Sequence, residues 1–176
     1  MSEYDRKRCA LFASASTESN GEYERRGAPN TDKARRDQYI GKAGEIAARA
    51  ILSGALLVSL VDMEIYSKDN KSWEPDLLID NRVRVHVKTC DQWESTLPES
   101  WIFQAWDREV FQDFTDEDLV MFVTRTDEAE WTVRFVIRVS ELHRHKLFDA
   151  PLARRHREHK RAVYASRLEA FREDAS

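Results

Sequence analysis

Apolar residues along this chain follow two periods, and each change of period marks an element. Between residues 38 and 52 they recur at Tyr39, Ala43, Ile46, Ala47, Ala50 and Ile51. That three-and-four spacing is one buried stripe of a helix. Ser53-Gly54 gives it a stop. Residues 56–66 are rich in apolar and β-branched side chains and predict a strand, closed by the polar run 67–71. Residues 75–80 and 83–88 then predict a hairpin around Asn81-Arg82. Its second strand alternates, with Val83, Val85 and Val87 on one face and Arg84, His86 and Lys88 on the other. Residues 119–125 and 131–139 predict another strand pair, and basic, helical sequence follows. The order (helix, three strands, aromatic-rich connection, two strands, helix) predicts an α/β fold: a helix packed on a mixed central β-sheet, with flanking helices.

The flanks read differently. Residues 1–35 are small, polar and without period, which predicts a disordered tail ahead of one domain over 36–176. No apolar run approaches the roughly 20 residues that span a bilayer. Too few apolar residues follow Arg6, Lys7 and Arg8 for a signal peptide, so no membrane role and a cytoplasmic location are expected. Cys9 and Cys90 make neither a disulfide framework nor a zinc-ligand spacing. A net charge of −4 excludes a histone-like basic binder. It leaves a nuclease open, because local positive charge and an acidic metal site cancel in the total.

The hairpin carries the candidate chemistry. His86 and Lys88, two residues apart on a strand, emerge side by side. Asp76 joins them only if the register has the right parity, since opposed residues of an antiparallel pair share a face. A two-residue loop would pair Asp76 with Val87 and turn the carboxylate away. An odd loop pairs Asp76 with Lys88 and Leu78 with His86. Asn81 tolerates the left-handed conformation that three-residue hairpins need, so an odd-length loop or a bulge is predicted.

Phosphodiester hydrolysis needs a neutralised phosphorane and an activated water, and a hard divalent cation supplies both. Such a cation takes oxygen ligands. Asp76 is the first candidate and the backbone carbonyl of Val87 the second, with Glu45 completing the shell directly or through water. Lys88 would stand beside the attacking water or scissile phosphate as a point charge.

Glu45 within Gly41-Lys42-Ala43-Gly44-Glu45, then Pro75-Asp76, then His86-Val87-Lys88-Thr89, resembles the PD-(D/E)xK, or restriction-endonuclease-like, nuclease superfamily over residues 38–139. The resemblance implies a DNA endonuclease dependent on Mg²⁺ or Mn²⁺. Asp76 would be a metal ligand, Lys88 the catalytic lysine and Glu45 the helix glutamate. The sequence departs at His86, where an acid is expected two residues before the lysine. His86 is left as a metal ligand favouring softer ions such as Mn²⁺, as a general base, or as the mark of lost activity. The alternative functions are an inactive nuclease-fold protein that binds DNA or regulates, and an RNA nuclease. Each residue also has an ordinary role to set against this: Asp76 as a turn residue, Lys88 as an edge-strand lysine, Glu45 as the ion-pair partner of Arg49.

Candidate nucleic-acid contacts are Lys42, Arg84, Trp93, Arg154, Arg155, Arg157, Lys160 and Arg161. The last five belong to a basic run expected to be helical, and Trp93 is the candidate for base stacking. The remaining aromatics of residues 91–114 are expected mainly in the core, in a stretch large enough to serve a homodimer interface.

Overall fold

The computed structural model describes residues 1–19, 31–65, 75–93 and 95–174. Its central sheet has four strands: β1 (Leu77–Ile79), β2 (Val83–Asp91), β4 (Leu119–Arg125) and β5 (Trp131–Arg138), side by side in the order β1-β2-β4-β5. β1 and β2 are antiparallel, β2 and β4 parallel, β4 and β5 antiparallel, so the sheet is mixed. β3 (Ser100–Gln104) and β6 (Lys160–Tyr164) form a separate antiparallel pair.

Around the strands lie α1 (Glu3–Ser19), α2 (Thr31–Leu52), the short α3 (Arg108–Phe111), α4 (Val139–Arg144) and α5 (Ala165–Asp174). Among the described residues no helix is long and apolar enough to cross a membrane.

The alternation of β2 divides the interior into two cores. Val85 and Val87 pack with Leu77, Ile79, Met121 and Val123 against Ala48 of α2. On the opposite face Val120 and Phe122 join Trp101 and Phe103 of β3, with Val110, Leu142 and Val163. A strand paired in parallel and covered on both sides is expected to read as apolar throughout. β2 instead places Arg84, His86 and Lys88 on its second covered face. Polar groups in that setting need partners, and β3 and α3 bring them.

Several expectations need correction. The tail expected to be disordered over 1–35 contains α1 and the start of α2. α1 packs along α2 with Cys9, Ala13 and Ser16 buried. These small side chains allow close helix approach but leave no apolar stripe to read. Residues 20–30 lie outside the described residues, as do 66–74 and therefore the turn expected at 67–71.

The strand expected over 56–66 reduces to one bridge, Val58 to Ile79, flanked by Ser59 N donating to Leu78 O at 2.9 Å and Asp80 N to Leu57 O at 2.8 Å. The basic run is not a helix either. A 3-10 turn at Arg154–His156 leads into β6, whose Ala162 and Val163 are buried. The aromatic connection supplies β3 and core.

Opposite Phe122 and Val123, β5 pairs through Phe135 and then Val133, so Arg134 is the extra residue of a bulge. There the Trp101 indole Nε1 donates to Val123 O at 2.9 Å, tying the second sheet to the first.

Candidate functional site

β1 and β2 are joined by Asp80, Asn81 and Arg82, because Ile79 pairs with Val83. The loop is odd, as the parity argument requires. Asp80 and Asn81 have φ of 51° and 53°, and Arg82 N donates to Ile79 O at 3.0 Å. The left-handed region disfavours most side chains and is tolerated best by Asn and Asp after Gly. The register is not the one expected: Leu78 opposes Arg84 rather than His86. Continued by one pair, it sets Asp76 level with His86 rather than Lys88. Asp76 keeps the parity and stands one step closer to the loop.

β1 begins only at Leu77, so among the described residues β2 has no strand partner beside Val87 on that edge. Asp76 fills the place with its side chain, its Oδ2 accepting from Val87 N at 2.7 Å. The amide and carbonyl of one strand residue project to the same side. The Val87 carbonyl therefore faces the edge occupied by Asp76.

His86 is 3% exposed. Its Nδ1 lies 3.7 Å from Glu109 Oε2, and its buried Nε2 has no hydrogen-bond partner among the described residues. Burial holds its pKa below the ordinary value, against the opposing field of Asp76. Burial also pushes the Glu109 carboxyl up, with Arg84 opposing. The Lys88 ammonium is 3.2 Å from Asp107 Oδ2 and 5.1 Å from the centroid of the Phe103 ring. Asp107 and Glu109 were not singled out in the sequence. The only local signal is an Asp-Arg-Glu triplet opening a short helix, and its place at the site depends on the path of β3.

Glu45 reaches the same region from α2 and is buried. Its Oε2 accepts from Lys42 Nζ at 2.8 Å. Burial pushes its carboxyl up to about 8; Asp76 and, less, Asp62 add to this, and Lys42 opposes it. Arg49 is not its partner and instead donates to Ser59 O at 2.9 Å. Gly44 explains how Glu45 comes so near. A Cβ there would stand 2.0 Å from Thr89 Oγ1, so only glycine lets α2 lie this close to β2, one residue beyond Lys88.

Among the described residues no three His, Cys, Asp or Glu side chains are grouped so as to hold a metal ion. Magnesium, though, retains several waters and is commonly held by one or two carboxylates. Asp76, Glu45 and the Val87 carbonyl would supply an oxygen set of that kind. Burial is the larger cause of the raised Glu45, and the repulsion from Asp76 that adds to it is what a divalent cation relieves.

Three expected nucleic-acid contacts are occupied elsewhere. Lys42 is held by Glu45 and lies over the Phe12 ring. Arg84 donates through Nε and Nη2 to the buried carboxylate of Asp118 and reaches Asp113 O at 2.6 Å. Trp93 is partly buried, with the Arg125 guanidinium 4.3 Å over its ring, so its stacking face is taken.

Arg154, Arg157 and Arg161 are exposed. Arg157 donates to Pro151 O at 3.2 Å, and Arg161 to Arg157 O at 3.2 Å and Lys160 O at 2.9 Å. Lys160 pairs with Gln104 at the end of β3. The Arg155 side chain lies outside what is described. No protein-family model, no curated protein and no solved structure matches this chain.

Proposed function

We propose that the chain is a metal-dependent endonuclease that hydrolyses DNA phosphodiester bonds, with a restriction-endonuclease-like core. The observation that carries this reading is the odd hairpin loop. It sets the Asp76 carboxylate on the Val87 amide, beside His86 and Lys88, with Glu45 in electrostatic reach from α2. The order of elements is in keeping with it: a helix, a hairpin, a crossing connection, and a strand parallel to the one that bears the lysine.

Bound Mg²⁺ or Mn²⁺ would neutralise charge on the phosphate and acidify water. Asp76 and Glu45, with the Val87 carbonyl, would hold it. The residues of the chain do the rest. Lys88, steadied by Asp107 and Phe103, offers a positive charge to a phosphate oxygen. His86 is kept neutral by burial. Glu109, on the Nδ1 side, favours the proton on that nitrogen and leaves a lone pair on Nε2, an atom buried from solvent, so all three roles of His86 stay open. Arg154, Arg157 and Arg161 position the DNA backbone without reading its sequence.

The test is incubation of the protein with supercoiled plasmid and Mg²⁺ or Mn²⁺, alongside Asp76→Ala and Lys88→Ala. Nicking or linearisation by the native chain, lost in both variants, is expected. If no cleavage occurs while DNA is still retarded in a gel, the inactive DNA-binding reading replaces this one. That reading is favoured by the histidine at position 86 and by the closed Lys42–Glu45 pair.

A further inference from the structure

We propose that Trp106 is a stacking platform for an unpaired DNA base at the mouth of the site, so that the preferred substrate carries single-stranded DNA. The placement rests on the nuclease reading; the stacking itself does not.

Trp106 differs from the other tryptophans among the described residues. Trp101 is buried in the core, and Trp93 and Trp131 lie against Arg125. Trp106 turns 51% of its surface to solvent. It is also held in place. Asp107 N donates to Gln104 O at 3.2 Å, closing the turn that carries Trp106 at its tip, and Ala105 N donates to His159 O at 2.9 Å. The indole rests against the His159 imidazole, ring centroids 5.9 Å apart. An exposed aromatic surface of this size adds little to the core, and with its backbone held in the turn part of its ordering cost falls before any ligand arrives.

Its neighbours point to the ligand. The next residue along the chain is Asp107, which holds the Lys88 ammonium at 3.2 Å. On the other side, His159 belongs to the run that carries the exposed Arg154, Arg157 and Arg161. An aromatic face with exposed guanidinium groups along one flank suits a single strand: cations follow the backbone and the ring takes a base. In a duplex the base faces are already stacked, so the indole has nothing to receive except at an end, a flap or a gap.

The decisive experiment measures binding in EDTA, where cleavage plays no part. Fluorescence anisotropy would follow a labelled single-stranded oligothymidylate at fixed salt, with relaxed closed-circular duplex, which has no ends, measured separately as a competitor. Trp106→Ala is expected to weaken single-strand binding roughly ten-fold, in the range found for loss of one base-aromatic stack. Duplex binding is expected to change less than about two-fold, since phosphate contacts carry it. Trp106→Phe should recover most of the loss. Tyr4→Ala, which removes an exposed ring on α1, should change neither. An unchanged melting temperature establishes that Trp106→Ala is folded. Unaltered single-strand affinity, or an equal loss on both DNAs, overturns the proposal. Because no cleavage is read, this outcome is separate from failure of the nuclease reading, which the plasmid assay decides.

Discussion

Replacing Gly44 by alanine sets two effects of opposite sign against each other. In a helix interior, glycine to alanine gains about 1 kcal/mol from backbone entropy. Here the new methyl would meet Thr89 Oγ1 at 2.0 Å, Thr89 Cγ2 at 2.9 Å and Thr89 Cβ at 3.0 Å. One rotation of the threonine would turn its Hβ to the methyl, but it leaves Oγ1 in the former Cγ2 place and Cβ where the strand holds it, 3.0 Å away. The helix must therefore move off β2. Overpacking of this kind costs about 1–3 kcal/mol, and with three atoms of one side chain in the way the upper part of that range applies. The net expectation for Gly44→Ala is a loss of about 1–2 kcal/mol, read from urea denaturation followed by circular dichroism.

Thr89→Ala removes the two closest atoms. The double variant should recover the loss, with a coupling of at least about 1 kcal/mol in the double-mutant cycle. Cleavage should follow the same pattern, because displacing α2 carries Glu45 away from Asp76. A Gly44→Ala protein as stable as the native chain, or more so, would refute the close helix-strand contact and the route by which Glu45 reaches the site.

Two further predictions concern the framework. Burial pushes the Asp118 carboxyl up, but hydrogen bonds from Arg84 and from the Thr115 amide and hydroxyl outweigh it and hold the group below the ordinary value of 3.8. A depressed acid stabilises the fold above its unfolded pKa, and that contribution is lost as pH falls through the folded one. Asp118→Asn should cost about 2–3 kcal/mol at neutral pH, and the gap to the native chain should close below about pH 4 in a pH series of denaturation curves. Trp101→Phe keeps a ring in the core but leaves the Val123 carbonyl at the bulge without its donor. A loss of about 1–3 kcal/mol is expected from the same denaturation assay, and no loss would mean that water or the backbone satisfies that oxygen.

Parts of this architecture are legible in the sequence because they rest on local periodicity. Alternation at Val83, Val85 and Val87 reports a strand whichever neighbours it acquires. Residues 119–125 appear in the structure as β4, within the bounds that their apolar pattern gives. The odd hairpin loop follows from parity and from the tolerance of Asn81 for a positive φ. The register differs from the expected one by two residues of β2, because the loop begins at Asp80, which takes a positive φ as well as Asn81. α1 was missed because its buried positions are Cys9, Ala13 and Ser16, side chains too small to mark an apolar stripe. β3 and β6 were missed because each is short and takes its identity from the other.

The sequence by itself determined the composition of the candidate centre, with Glu45 on a helix and Asp76, His86 and Lys88 on a hairpin, because those positions depend on spacing of a few residues. The tertiary structure decided who their partners are. Asp107 and Glu109 come to Lys88 and His86 from the far end of β3, Arg84 is committed to Asp118, and Lys42 to Glu45. Trp93 is covered while Trp106 is presented. Such pairings arise when distant segments compete for the same buried space and the same charges, and no local period records the outcome.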